Sequence, residues 1–336
     1  MAQINSITFD PPLINTSCAW ASELHQLREL YDCVYIGGIT TRTATLNGFN
    51  EDASNTVAFT KDSVSSINSY GYSPNPLHLY LEWVYSLLTT PNAKGDGPSK
   101  PIIISITSAD DSELSEMVQQ IQALRQKLHV EYEAKVSRPA IDPSTLIAVE
   151  LNTSCPNIKD HPPPAYDFIS LTSLLEVFAN AFSVDSSLTF GLKLPPYMYS
   201  TLFDDAVSTL ASFSKDNNSN PFAFITCTNT LGSSLLFEDQ VLAPTAPGKF
   251  ALPTSFGGLA GEALHSLALG NVYAFSQRFA NHQSPAIRKI VVIGAGGVTR
   301  YDAVARMHAA GATIVGCATL LGKEGIGAFK LLTEKP

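Results

Sequence analysis

The feature that most restricts what this chain can fold into is a repeated alternation. Short apolar, often β-branched runs occupy residues 33–40, 101–107, 146–152, 189–194, 223–228, 289–293 and 313–317. Near-continuous apolar runs of this length suit strands buried on both faces of a parallel sheet. Between them lie stretches with helical periodicity. Leu114, Met117, Ile121 and Leu124 fall at three- and four-residue spacing within 111–127, and Leu174, Leu175, Phe178 and Phe182 do so within 171–182. Strand–helix alternation predicts right-handed βαβ units. Seven runs are evident, and residues 64–68 are the candidate for an eighth. The alternation by itself fits a closed barrel or an open doubly wound sheet. There is no internal repeat.

The chain has 336 residues, of which 45% are hydrophobic. Barrels of eight βα units reach this size as one domain, so residues 1–336 are expected to form a single unit. Polar segments at 90–100 and 216–220 read as surface loops. The segment 160–164, with Pro162, Pro163 and Pro164, follows a strand end, where a barrel carries its active-site loops. A net charge of −9 argues against nucleic acid as a partner. The longest apolar stretches are too short to span a bilayer, and the N-terminus lacks a basic region followed by an apolar one. Five scattered cysteines, Cys18, Cys33, Cys155, Cys227 and Cys317, suggest free thiols in a reducing compartment, so a cytoplasmic location is expected.

Four segments carry candidate chemistry. In Leu151-Asn152-Thr153-Ser154-Cys155-Pro156-Asn157, two amides flank a thiol just after a strand. Asn side chains both donate and accept, which suits a flat ring with amide edges, and an oriented thiol can take a carbon-bound proton. The plainer reading is a buried cysteine beside a turn proline. In Gly191-Leu192-Lys193-Leu194-Pro195-Pro196-Tyr197, a lysine sits inside an apolar strand. It faces a cofactor, forms a Schiff base, or snorkels outward. In Phe224-Ile225-Thr226-Cys227-Thr228-Asn229-Thr230, Asn and Thr again close a strand. Finally, three glycine-rich segments lie late in the chain: 256–261, 293–297 and 316–319. They suit a phosphate site after the seventh and eighth strands of a barrel, or are plain turns. Thr299-Arg300-Tyr301-Asp302 reads as a capping box opening the helix that follows. A dinucleotide fingerprint starting at Gly294 fails, because Thr299 stands where its last glycine is required.

In order and spacing, these segments resemble the class 1 dihydroorotate dehydrogenases, especially their homodimeric, fumarate-using subgroup. The likeness runs from Leu13-Ile14-Asn15-Thr16-Ser17 to Lys323-Glu324-Gly325 and includes Ser66-Ile67-Asn68-Ser69 and Ala165-Tyr166-Asp167-Phe168. It implies a (β/α)₈ TIM barrel with its active-site loops at the C-terminal face, FMN as cofactor, dihydroorotate and orotate as substrate and product, fumarate as acceptor, and a homodimer. It implies FMN phosphate near Gly261, Gly296, Gly297, Ala318 and Thr319, with Asn15, Thr16 and Ser17 lining the flavin and Arg42 and Asn152 beside it. Lys193 would stabilise charge at the flavin N1/O2 edge. Asn68, Asn152, Asn157 and Asn229 would hold the pyrimidine ring, with Thr230 nearby. Cys155 would take the C5 proton while a hydride leaves C6 for flavin N5, under a lid at 158–165.

The sequence departs from the family pattern in places. Arg42 replaces a lysine; it can still hold a carboxylate, but with a different shape. Asn68-Ser69-Tyr70-Gly71-Tyr72 replaces N-S-M-G-L, which alters the pocket wall formed by Tyr70, Gly71 and Tyr72. Cys18 and Ala318 replace glycines, and Thr230 replaces serine. These changes leave room for a paralogue acting on another small cyclic amide or enone. A Schiff-base lyase using Lys193 and a non-catalytic barrel are the readings from other classes.

Overall fold

The computed structural model describes residues 1–90, 100–135, 141–158, 163–215, 218–245 and 248–335. Residues 159–162 of the expected lid, most of the expected loop at 90–100 and part of that at 216–220 lie outside these.

Eight parallel strands form a barrel: β1 (Leu13–Asn15), β2 (Ile39–Thr40), β3 (Ile102–Ile106), β4 (Ile147–Asn152), β5 (Phe190–Leu194), β6 (Phe222–Cys227), β7 (Val291–Ala295) and β8 (Ile314–Cys317). Each pairs with its neighbour, and β8 pairs with β1 through Val315–Leu13, Gly316–Ile14 and Cys317–Asn15. The seam between β1 and β2 is closed by a single bridge, Ile14 to Gly38. The Asn15 amide reinforces it: Nδ2 donates to Thr40 O at 2.6 Å, and Oδ1 accepts from Thr40 N at 2.9 Å.

Helices α1 (Leu24–Asp32), α2 (Leu77–Thr89), α3 (Asp111–Glu133), α4 (Thr172–Val184), α5 (Ser200–Ser212), α6 (His265–Ala280), α7 (Tyr301–Ala309) and α8 (Ala328–Thr333) follow the strands in turn. Their buried leucines and phenylalanines meet the outward side chains of the strands in one large apolar layer. Helix α3 runs past the expected end at 127. Asp110 caps it by accepting from Glu113 N at 2.8 Å, and no breaker interrupts the following turn.

Period two along each strand sorts the lumen into layers. At the bottom, Ile14, Ile103, Ala148, Phe224, Ile293 and Ile314 pack with Ile4, Ile7 and Phe9. The last three come from an N-terminal hairpin, Ala2–Ile4 with Ile7–Phe9, which plugs the floor. Two residues further along, the inward positions turn polar: Ser105, Glu150, Lys193 and Thr226, all buried. The lumen is therefore apolar below and hydrogen-bonding above, so its buried polar groups lie toward the C-terminal end.

Three sequence expectations need correction. The eighth barrel strand is Leu13–Asn15, not 64–68. Ser65–Asn68 is a strand, but it belongs to a separate antiparallel sheet with Val57–Phe59, Phe256–Gly261 and Leu231–Leu235. Within 33–40, only Ile39–Thr40 is strand, because α1 ends at Cys33 and the next residues form a turn. The capping box at 299–302 does not form: the Thr299 hydroxyl donates to Glu262 Oε1 at 2.9 Å and α7 has no side-chain cap.

Candidate active site

One cavity of about 1000 Å³, measured out to its open mouth, lies at the C-terminal end of the strands. Both Cys155 and Lys193 line it. Lys193 reaches in from β5, 5% exposed, and its Nζ donates to Ser17 O at 3.1 Å. Cys155 lies in the turn after β4, with its Sγ 3.9 Å from the Tyr70 carbonyl. Burial pushes the Cys155 thiol up; the Asn157 backbone and the charges of Lys193 and Arg42 act in the opposite direction.

Around the thiol, four Asn side chains hold one another in place. Asn157 Nδ2 donates to Asn68 Oδ1 at 3.1 Å and to Tyr70 O at 2.8 Å. Asn229 Nδ2 donates to Ser154 Oγ at 3.0 Å and to Asn152 Oδ1 at 3.3 Å. Asn68 in turn donates to Gly258 O at 3.1 Å, on the neighbouring antiparallel strand. All four line the cavity, as do Thr230, Tyr70 and Gly71. Tyr72 does not; its ring packs edge-on against Phe49 at 5.8 Å.

The far end is glycine-lined. Gly261, Gly296 and Gly297 lie there with Ala318 and Thr319, the latter opening the short helix Thr319–Glu324. Gly261 has φ of +80° and Gly297 of +69°. A Cβ on Gly297 would fall 2.5 Å from His265 Cβ and 2.8 Å from Gly261 O. Only glycine fits such positions, and the backbone of this corner stays open to the cavity. Among the described residues, Thr228 Oγ1, also in the lining, is buried without a hydrogen-bond partner. Thr16 and Ser17 line the cavity, but Asn15 does not, because its amide is spent on the β1–β2 seam.

Arg42 lines the cavity beside Tyr70 and Gly71, but its guanidinium is already paired with Glu51 and lies 5.3 Å from the Tyr70 ring centre. Arg42 and Lys193 are the cationic residues of the lining, which contains no carboxylate among the described residues.

Sequence reasoning missed the layer beneath. Glu150, 2% exposed, accepts from Thr226 Oγ1 at 2.6 Å and from Ser105 Oγ at 3.3 Å. Ser105 continues to Thr43 at 2.9 Å, which accepts from Asn152 Nδ2 at 2.9 Å. Burial pushes the Glu150 carboxyl up, while the Lys193 charge and the two hydroxyls pull it down. The signal was present: Glu150 is the one charged residue in an apolar run, as Lys193 is in its own. Glu51, on a loop without hydrophobic pattern, gave no such signal.

Among the described residues no cluster of three or more His, Cys, Asp or Glu could hold a metal ion, and no helix is long and apolar enough to cross a membrane.

The family model for dihydroorotate dehydrogenase matches residues 1–335. A protein of Streptococcus pyogenes named putative dihydroorotate dehydrogenase A (fumarate) is 31% identical over 335 residues, covering 99% of this chain and 90% of that protein. A Streptococcus pneumoniae protein named probable dihydroorotate dehydrogenase A (fumarate) is 29% identical over 337 residues, with the same coverage.

Proposed function

Because the chain belongs to the dihydroorotate dehydrogenase family, we propose that it oxidises (S)-dihydroorotate to orotate, with FMN as resident cofactor and fumarate as electron acceptor. The observation that carries this reading is the shared cavity: a thiol, a buried lysine, two hydrogen-bonded pairs of Asn amides and a glycine-lined corner open onto one space.

The residues fit FMN. The corner at Gly261, Gly296, Gly297, Ala318 and Thr319 suits its phosphate, since backbone N–H groups beside a helix start favour an anion. The partnerless Thr228 hydroxyl is available to a polar edge of the ligand, and Thr16 and Ser17 supply a wall. When bound, FMN would supply two-electron redox chemistry between dihydroorotate as hydride donor and fumarate as electron acceptor.

The chain's own residues do the rest. Asn68, Asn152, Asn157 and Asn229 present donors and acceptors to the amide edges of the ring, and their mutual bonds fix them before the ring arrives. Cys155 Sγ takes the proton from C5. Lys193, held by Ser17 O and backed by Glu150, keeps a fixed positive charge where negative charge develops on the cofactor side. Arg42, Tyr70 and Gly71 wall the substrate end. In this reading residues 1–336 act as one unit, as a homodimer in the cytoplasm.

A visible spectrum of the purified protein tests this directly. Flavin absorption that bleaches on anaerobic addition of dihydroorotate and returns with fumarate is the expected result. A colourless protein, or a yellow one that dihydroorotate does not bleach, would end the proposal.

A further inference from the structure

Arg42 is 6% exposed and walls the substrate end of the cavity, yet its terminal nitrogens are fully engaged within the chain. Nη1 donates to Ser22 Oγ at 3.3 Å and to Glu51 Oε2 at 3.3 Å. Nη2 donates to Glu51 Oε1 and to Gly71 O at 3.4 Å. This is a two-pronged carboxylate pair, the same arrangement that a guanidinium would offer a carboxylate on a ligand. The partner is half-buried and comes from the irregular loop between β2 and Val57–Phe59.

Electrostatics makes the pairing consequential. A carboxylate on a bound ring is drawn to the cations of the lining, Arg42 and Lys193. Lys193 is turned toward Ser17 O. That leaves Arg42, whose charge Glu51 already neutralises. A second carboxylate brought to the same guanidinium meets a like charge in a poorly solvated place, which disfavours binding unless one carboxylate leaves. A ring with no charge meets no such opposition.

We propose that Glu51 is a specificity-determining residue: it is the resident carboxylate that a ring-borne carboxylate must displace from Arg42. The inference rests on the reading above that the site takes a dihydropyrimidine ring, and it names what sets the site's preference between anionic and neutral rings.

The test is calorimetric titration of the oxidised flavoprotein with orotate and with uracil, the same ring without its carboxylate. Glu51→Gln keeps the length of the side chain and an acceptor for Arg42 but removes the charge. It should tighten orotate about tenfold or more, equivalent to roughly 1.4 kcal/mol, and move uracil far less. Glu51→Ala, which leaves Arg42 on Ser22 and Gly71, should shift orotate in the same direction. In the double variant Glu51→Gln with Arg42→Gln the gain should vanish. Weaker orotate binding in both Glu51 variants, an unchanged orotate-to-uracil ratio, or a gain that survives loss of Arg42 would each overturn the proposal, because Glu51 would then merely hold Arg42 in place. Bleaching of the flavin by dihydroorotate is read separately on the same proteins. Its failure with a shifted ratio removes the proposed function and leaves Glu51 its role; bleaching with an unchanged ratio does the reverse.

Discussion

Cys155 is a buried thiol held above its ordinary range by desolvation, with Lys193 and Arg42 pulling the other way. Such a thiol is mostly protonated at neutral pH, so its contribution as the proposed base grows as protons become scarce. The rate of flavin reduction by dihydroorotate should therefore climb with pH and go on climbing past the ordinary thiol value of about 8.5. Cys155→Ala should stay yellow, since the residue is remote from the glycine corner, while turnover falls by about 10² or more. A flat pH profile in stopped-flow measurements, or near-normal turnover of the variant, would remove Cys155 from the mechanism. At this scale the sequence was readable wherever a residue broke its local pattern: a lysine in an apolar strand, a thiol between amides. Glu150 broke its pattern equally and was passed over, because no motif drew the eye to it. Thr43 and Ser105 were invisible for a different reason. Thr43 lies just past β2 and Ser105 within β3, and only the pairing of those neighbouring segments brings them into one chain of hydroxyls beneath Asn152.

The barrel strand that escaped sequence reading is a short one. A three-residue strand such as β1 offers no periodicity to detect, and here it follows two prolines. Its identity comes from what it pairs with, β8 on one side and a single bridge to Gly38 on the other. The longer strands and helices α3 and α4 were legible because an apolar run or a three-and-four spacing persists along them, whereas α2, α5 and α6, each 13 residues or longer, were not singled out. The role of Ser65–Asn68 was misjudged for a related reason: alternation reveals a strand but not which sheet it joins. The β1–β2 seam yields a prediction. Asn15→Ala would strip two partners from the buried Thr40 backbone with nothing to replace them. Each orphaned group costs about 1–3 kcal/mol, so a loss of roughly 2 kcal/mol or more is expected in urea unfolding. A variant as stable as the parent would show that the strands close without that amide.

For the molecule as a whole, acidity sets a limit on where the fold holds. Asp142, Asp185, Asp204 and Glu262 all lie below their ordinary ranges: Asp142, Asp185 and Glu262 despite partial burial, because of His129, Ser187 with Arg125, and Arg300 with Thr299, respectively, and Asp204 chiefly through Arg278. A carboxyl with a lowered pKa in the fold stabilises it above its unfolded value, and that contribution is lost as pH falls through the folded value. Glu150, raised by burial, has the opposite sign, but it is one group against four. Melting temperature should thus hold steady from neutrality down to about pH 5 and drop below the ordinary carboxylate values of 3.8 to 4.5. A melting temperature that rises on acidification through that window would contradict this balance.

The antiparallel sheet over the barrel mouth acts as a ruler. Asn68 and Gly261 sit on adjacent strands whose pairing is fixed rung by rung, Asn68 opposite Gly258 and Ser65 opposite Gly261. Three rungs separate the amide from the glycine, a gap of about 10 Å. The interval between the Asn68 amide and the glycine corner is thus counted in whole residues. Side chains at either end can be exchanged without changing that count, whereas a slip of one residue would both alter it and turn the amide to the opposite face.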